Sequence, residues 1–239
     1  MPTDTIPPSS SKLLGSIEAN FTHTKLLSER WYLVALAALV GGNDPVVCKD
    51  LYLYLISKQE FSQPHQRRAL IRRIREALIK CIAVVGVCKP IEAILSINEV
   101  ERGEDKDHSI TREGWQCDDA NLERGNDWMQ KLYSKNMDET MGFFRDHRDF
   151  EWVSRHISYG LYLSDRQVLD DIDTEIVVLA SIMIQNLEKE THWHIRGSRR
   201  LGIPRADVEA IHDSVGAIAG HLGLCLHRVP SVEQVERDV

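Results

Sequence analysis

The sequence predicts an all-α protein, and three observations carry that expectation. Apolar residues recur at helical spacing along most of the chain, and no convincing run of period-2 alternation bounded by turn pairs is present. Clusters of Gly, Pro, Asn and Asp, such as Gly41-Gly42-Asn43-Asp44-Pro45, punctuate the helical blocks. The chain has 239 residues, 43% hydrophobic and 27% charged, which suits a globular fold. At that length roughly 70% of the unfolded surface can be buried, so no disulfide or metal is required to hold a core.

The elements follow in order. Residues 1–11 (MPTDTIPPSSS) carry neither a basic n-region nor an apolar h-region and are expected to form a disordered tail. A single domain is expected over 12–228. Its first helical block covers 26–39, a second follows Pro45, a third runs from Pro64 to Val85, and Pro90 opens a fourth. The stretch 99–127 is acidic and poor in apolar residues, and reads as a connecting insert that Trp115 pins down. Helix is expected over 127–144, and a short helical or irregular stretch over 150–163. A densely apolar helix follows over 171–184. Asn186 is expected to cap the next one, which ends at Gly202, and Pro204 opens the last long helix. Residues 229–239 read as a polar tail.

Lys+Arg 29 against Asp+Glu 36 gives a net charge of −7, which argues against nucleic acid or an anionic membrane as partner. The arginine run 67–75 lacks interleaved aromatics and reads as a solvated or subunit-facing helix. The longest apolar stretches, 31–42 and 176–184, fall short of the roughly 18 residues a membrane span requires. Five cysteines are scattered without a CxxC pair, so a reducing compartment, the cytoplasm, is expected. The final Arg237-Asp238-Val239 is not a peroxisomal signal of the Ser-Lys-Leu kind.

A faint internal repeat relates 75–85 to 174–184. In each, a Glu (Glu76, Glu175) opens an apolar run that is followed by a break and another helix. The first repeat would span 24–98, in degenerate form, and the second 128–228. Two such units packed together would bury apolar runs that neither buries alone.

The segment from Tyr159 to Gly202 resembles the carboxymuconolactone decarboxylase and alkylhydroperoxidase D-like superfamily, in its fused two-repeat form. The residues that carry the resemblance are His194, Ser198, Gly202 and the Val208-Glu209 pair, with Glu175 placed 19 residues before His194. The resemblance implies an alkylhydroperoxidase D-like helical fold, a homo-oligomer, and proton transfer beside a carbonyl without a cofactor. The peroxidase branch has a CxxC ending four residues before the His. Those positions are Leu187 and Glu190 here, so thiol peroxidase activity is not expected.

Positions 187, 190, 194, 198 and 201 share one helical face, which places Glu190 one turn from His194. If that face meets Glu175, the imidazole is flanked by carboxylates that fix its tautomer and suit it to general acid–base work. His194, Glu175 and Glu190 are therefore the expected catalytic residues. Arg196 is expected to hold a substrate carboxylate, with Tyr159, Ser198 and His221 shaping the substrate site. His192 and His194 point to different sides of a helix, so no metal site is expected. The expected function is a cofactor-free lyase or decarboxylase acting on a small keto acid or lactone. A cyclase or isomerase on the same site is the alternative within enzymes, and a non-catalytic scaffold the alternative outside them.

Overall fold

The structure is a computed structural model that describes residues 5–239. It is all-α: helices account for its regular structure, and no strand occurs among the described residues. Two helices are apolar on nearly every side and form the centre, as such helices must. α2 (Trp31–Gly41) is buried throughout, and it packs along α9 (Asp171–Met183), whose residues are all buried from Asp173 onward. Around this pair stand α1 (Pro8–Phe21), α4 (Pro64–Val85) and α11 (Arg205–His221), while α3 (Cys48–Ile56) and α5 (Cys88–Asn98) close one side.

The other side holds a second, smaller core. It is built by α6 (Asp119–Tyr133), a π-helix (Val153–Leu163) and α10 (Glu188–Arg200). α9 serves both cores: Ile176, Val177, Leu179, Ala180 and Met183 face the larger one, while Val178 and Ile182, one turn apart, face the smaller. α7 (Met137–Gly142) and α8 (Arg148–Trp152) link α6 to the π-helix. Gly125 on α6 permits the closest approach in this region. A Cβ there would lie 2.5 Å from the Arg155 carbonyl oxygen and 2.9 Å from the Gly160 nitrogen.

Several boundaries differ from those expected. The tail ends sooner than residue 11, because α1 begins at Pro8 and buries Leu14, Ile17 and Phe21. Ser10, expected to be disordered, donates from its Oγ to Asp50 Oδ2 at 2.7 Å inside the protein. The first four residues of that expected tail lie outside the described ones. At the other end, 229–239 is not simply a polar tail. α12 (Val232–Glu236) starts with a Ser231–Gln234 capping box, buries Val232 and Val235, and ties Glu236 to Arg199. Asn186 does not cap α10. It adopts φ 60°, Leu187 takes the N-cap position, and the Asn186 amide instead bonds the Arg228 nitrogen and His227. Gly202 follows α10 at φ 87°, as a helix stop requires.

The insert and the arginine run explain each other. α6 begins at Asp119, so only 99–118 connects, and it lies across the basic face of α4. Buried Arg67 donates to buried Asp105 at 2.7 Å and to Glu104 at 2.9 Å. Arg75 donates to Asp107 at 2.8 Å, and Arg72 pairs with the same carboxylate. The Arg72 hydrogen bond, with help from Ser109 and Arg75, holds the Asp107 carboxyl well below the usual carboxylate range. Arg73 turns the other way, donating to Tyr32 Oη at 2.6 Å and to Asp173 at 3.0 Å. The run is therefore an internal clasp rather than a solvated or subunit-facing surface. Trp115 pins the end of the insert between the Arg112 and Arg124 guanidinium groups.

Candidate active site

The site is a cavity beside the smaller core that opens to solvent, about 260 Å³ in volume. His194 stands on its wall, and the face of α10 that carries it is turned inward by Leu187, Glu190 and Trp193. Opposite, Val178 and Ile182 of α9 and Ala83 and Val84 of α4 supply an aliphatic wall. Phe143 stacks on Trp193 with ring centroids 5.8 Å apart, at the edge of the cavity.

The expected Glu175–His194 pair is present. His194 Nδ1 lies 3.0 Å from Glu175 Oε1, and both side chains are buried. Helical position explains the pairing: Glu175 points out of the first turns of α9 toward α10, which returns antiparallel after the turn at Asn186. The carboxylate accepts from Nδ1–H, which leaves Nε2 without a hydrogen bond among the described residues.

Ser198 is close to this pair but not to the cavity. Its Oγ donates to Glu175 Oε1 at 3.3 Å, so it orients the carboxylate rather than binding substrate. Glu190 lines the cavity, as its position one turn from His194 requires, yet it makes no hydrogen bond to that imidazole. The His is thus held by one carboxylate, not two. Arg196 is buried and absent from the cavity wall, while its Nε has no hydrogen-bond partner. His221 is exposed at the end of α11 and contributes nothing to the cavity.

Tyr159 is in the site, with a partner that sequence reasoning missed. Its hydroxyl shares a 2.6 Å hydrogen bond with that of Tyr133 at the end of α6. Burial raises the pKa of both phenols, which keeps them protonated at neutral pH. Two protonated hydroxyls sharing one hydrogen bond leave one O–H without a partner between them. The π-helix explains why this part was illegible. Its wide turn puts Ser154 and Tyr159, and likewise Ser158 and Leu163, five residues apart on the face toward the cavity. That spacing matches neither a helical nor a strand template.

The C-terminal carbonyls of the π-helix are held by cations. Arg112 donates to the Leu161 and Tyr162 carbonyls, and Lys80 donates to those of Leu163 and Asp165 at 3.3 and 2.9 Å. Both cations also pair with buried Glu76. Burial lowers the pKa of Lys80 to about 8.

Among the described residues no group of three His, Cys, Asp or Glu side chains is arranged as a metal site. All five cysteines are free. Cys48 and Cys81 are buried, and burial pushes the Cys81 thiol up to about 12. Cys88, Cys117 and Cys225 are exposed. No helix among the described residues is long and apolar enough to cross a membrane.

Comparison with known proteins adds little to this geometry. No family model matches the chain, and no solved structure matches it. The chain is similar to a protein of Schizosaccharomyces pombe named Peroxisomal protein 2, at 20% identity over 203 residues. The match covers 81% of this chain and 87% of that protein.

Proposed function

We propose that this protein is an acid–base enzyme acting on a small carbonyl compound, distantly related to the carboxymuconolactone decarboxylase and alkylhydroperoxidase D-like superfamily. The observation that supports this reading is the 3.0 Å contact between His194 and buried Glu175 at the wall of a cavity. Glu175 holds the imidazole with its Nδ1 protonated, so Nε2 carries the lone pair that takes a proton from substrate. The imidazolium that forms is stabilised by the same carboxylate. The spare O–H of the Tyr133–Tyr159 pair donates to the carbonyl oxygen as negative charge develops on it.

In the lyase direction, His194 Nε2 takes the proton of the substrate's carboxyl group, the bond from the α-carbon to the departing CO2 breaks, its electron pair moves toward the carbonyl oxygen, and His194 returns that proton to carbon. In the isomerase or cyclase direction the same groups move a proton between carbons, and nothing leaves. The scaffold reading expects a His194 that is exposed or packed shut with no adjoining cavity. The cavity beside His194 favours the enzyme.

The chain is further proposed to self-associate. Val87, Ile91 and Leu95 form an exposed apolar stripe at the start and along one face of α5, which favours a contact between copies. The location is proposed as a reducing compartment, and similarity to a protein named for the peroxisome favours that organelle over the cytoplasm.

The test is kinetic. Solvent deuterium incorporation into a panel of cyclic ketones, and CO2 release from a panel of β-keto acids, would be measured for the natural protein and for His194→Gln. Loss of general acid–base catalysis predicts a fall of about 10²–10⁴-fold in whichever reaction the protein performs. A rate unchanged by the substitution, in a variant whose helical circular dichroism is intact, removes His194 from the chemistry.

A further inference from the structure

The cavity that holds His194 is polar in a one-sided way. Glu190 is on its wall and Glu175 stands directly behind His194, yet no lysine or arginine lines it. Two of the neighbouring cations are committed elsewhere, while Arg196 is buried with its Nε unpartnered. Arg200 donates to the Leu132 and Tyr133 carbonyls and to Asn136, and Lys80 to the carbonyls of Leu163 and Asp165. Arg196 is not on the wall. Lys189 lies outside, 5.6 Å from the centroid of the Phe143 ring. The amino end of α10 would favour an anion, but Glu188 and Glu190 already occupy its first turn. The remaining polar groups are neutral hydroxyls: Thr140, Ser154 and Ser158, besides the tyrosine pair.

A carboxylate entering this space would exchange its hydration for aliphatic walls and the like charge of Glu190. A neutral carbonyl compound meets hydroxyl donors and an aromatic and aliphatic surface instead. We propose that the cavity admits neutral cyclic carbonyl compounds and rejects their carboxylates, so that its chemistry is enolisation with isomerisation or cyclisation rather than loss of CO2. The inference takes the acid–base reading for its chemistry but not for its charge preference. The step balances without a co-reactant. The α C–H bond breaks, and its proton goes to His194 Nε2. Its electron pair forms the C=C bond of the enolate, whose oxygen accepts from the tyrosine O–H. In a β,γ-unsaturated ketone the pair from the C–H bond and that of the neighbouring C=C bond form a dienolate, and the imidazolium returns the proton to its γ-carbon; in a saturated ketone it returns to the α-carbon, which the solvent exchange reads. Glu190 is the specificity-determining residue in this scheme.

The probes are a matched pair, the 6-carboxamide and the 6-carboxylate of 2-tetralone, which share size and an enolisable ketone and differ in charge. Affinity for the full chain would be measured by calorimetry, and α-proton exchange in D2O by NMR. The carboxamide is expected to bind at least about ten-fold more tightly than the carboxylate. Glu190→Gln is expected to raise carboxylate affinity relative to that of the carboxamide, narrowing the charge preference. A carboxylate that binds within about two-fold of the carboxamide, or more tightly, overturns the proposal. Failure of both probes to bind at millimolar concentration overturns it as well. The two readings separate cleanly, because His194→Gln is expected to abolish exchange while keeping the charge preference in binding. Charge preference without exchange in the natural protein overturns the acid–base reading alone.

Discussion

Glu76 and Glu175 occupy similar places in the sequence, each leading an apolar helical run, and each is buried. Their partners differ. Glu76 receives two hydrogen bonds from the Arg112 guanidinium, at 2.6 and 2.7 Å, and lies 3.4 Å from Lys80. Those cations in turn hold the carbonyls at the end of the π-helix, so every charge there is used within the fold. Glu175 is paired with a single imidazole, and one of its oxygens has no hydrogen-bond partner. A carboxylate held by an arginine and a buried lysine fixes structure. One paired with a His beside a cavity has a partner that can gain and lose a proton.

The sharpest way to break this contrast is to neutralise each glutamate in turn. Glu76→Gln takes from Lys80 and Arg112 the carboxylate they share, leaving Arg112 only Asp165 at 3.4 Å, and is expected to cost about 3–5 kcal/mol, read as a lower denaturation midpoint in urea. Glu175→Gln is expected to cost clearly less stability and to remove the proton-transfer activity. Equal stability losses would erase the distinction.

Lys80 sharpens it through pH. Its folded pKa of about 8 lies below the ordinary value of 10.5, so between these the unfolded chain binds more protons and stability rises with pH. Relative to Lys80→Met, the natural protein is expected to gain stability across this window, on the order of 3 kcal/mol in all. Taking the difference between the two proteins cancels the opposing titration of buried tyrosines. A flat difference from pH 8 to 10.5 would place the Lys80 proton elsewhere.

A smaller effect tests how the π-helix is seated. Gly125→Ala drives a Cβ into the backbone of Arg155 and Gly160, and is expected to cost about 1–3 kcal/mol. Because Tyr159 adjoins Gly160, the same substitution should slow proton transfer as well, whereas a site independent of the π-helix would keep its rate. Smallest of all, Ser10→Ala removes the buried hydrogen bond to Asp50, with an expected loss of about 1 kcal/mol in thermal or urea unfolding.

The residues themselves made much of the site legible. Glu175, His194 and Glu190 follow from helical spacing on two neighbouring segments, and Gly202 and Pro204 mark the end of one helix and the start of the next. Tyr133 escaped notice because its importance comes from Tyr159, which is 26 residues away and lies on a helix of unfamiliar period. Arg196 and His221 were misplaced for a related reason. Side-chain chemistry and proximity in sequence say nothing about which wall of a cavity a residue reaches.

The sequence by itself determined that the chain is helical, which segments are apolar on every side, and that a His and a Glu could meet. These depend on local periodicity, which a single segment carries. Tertiary structure alone decided that the acidic insert clasps the arginine face of α4, that Ser10 and Val235 belong to the protein's interior, and that Tyr133 meets Tyr159. Those outcomes require segments far apart in the chain to compete for the same buried partners, and only the packed molecule settles that competition.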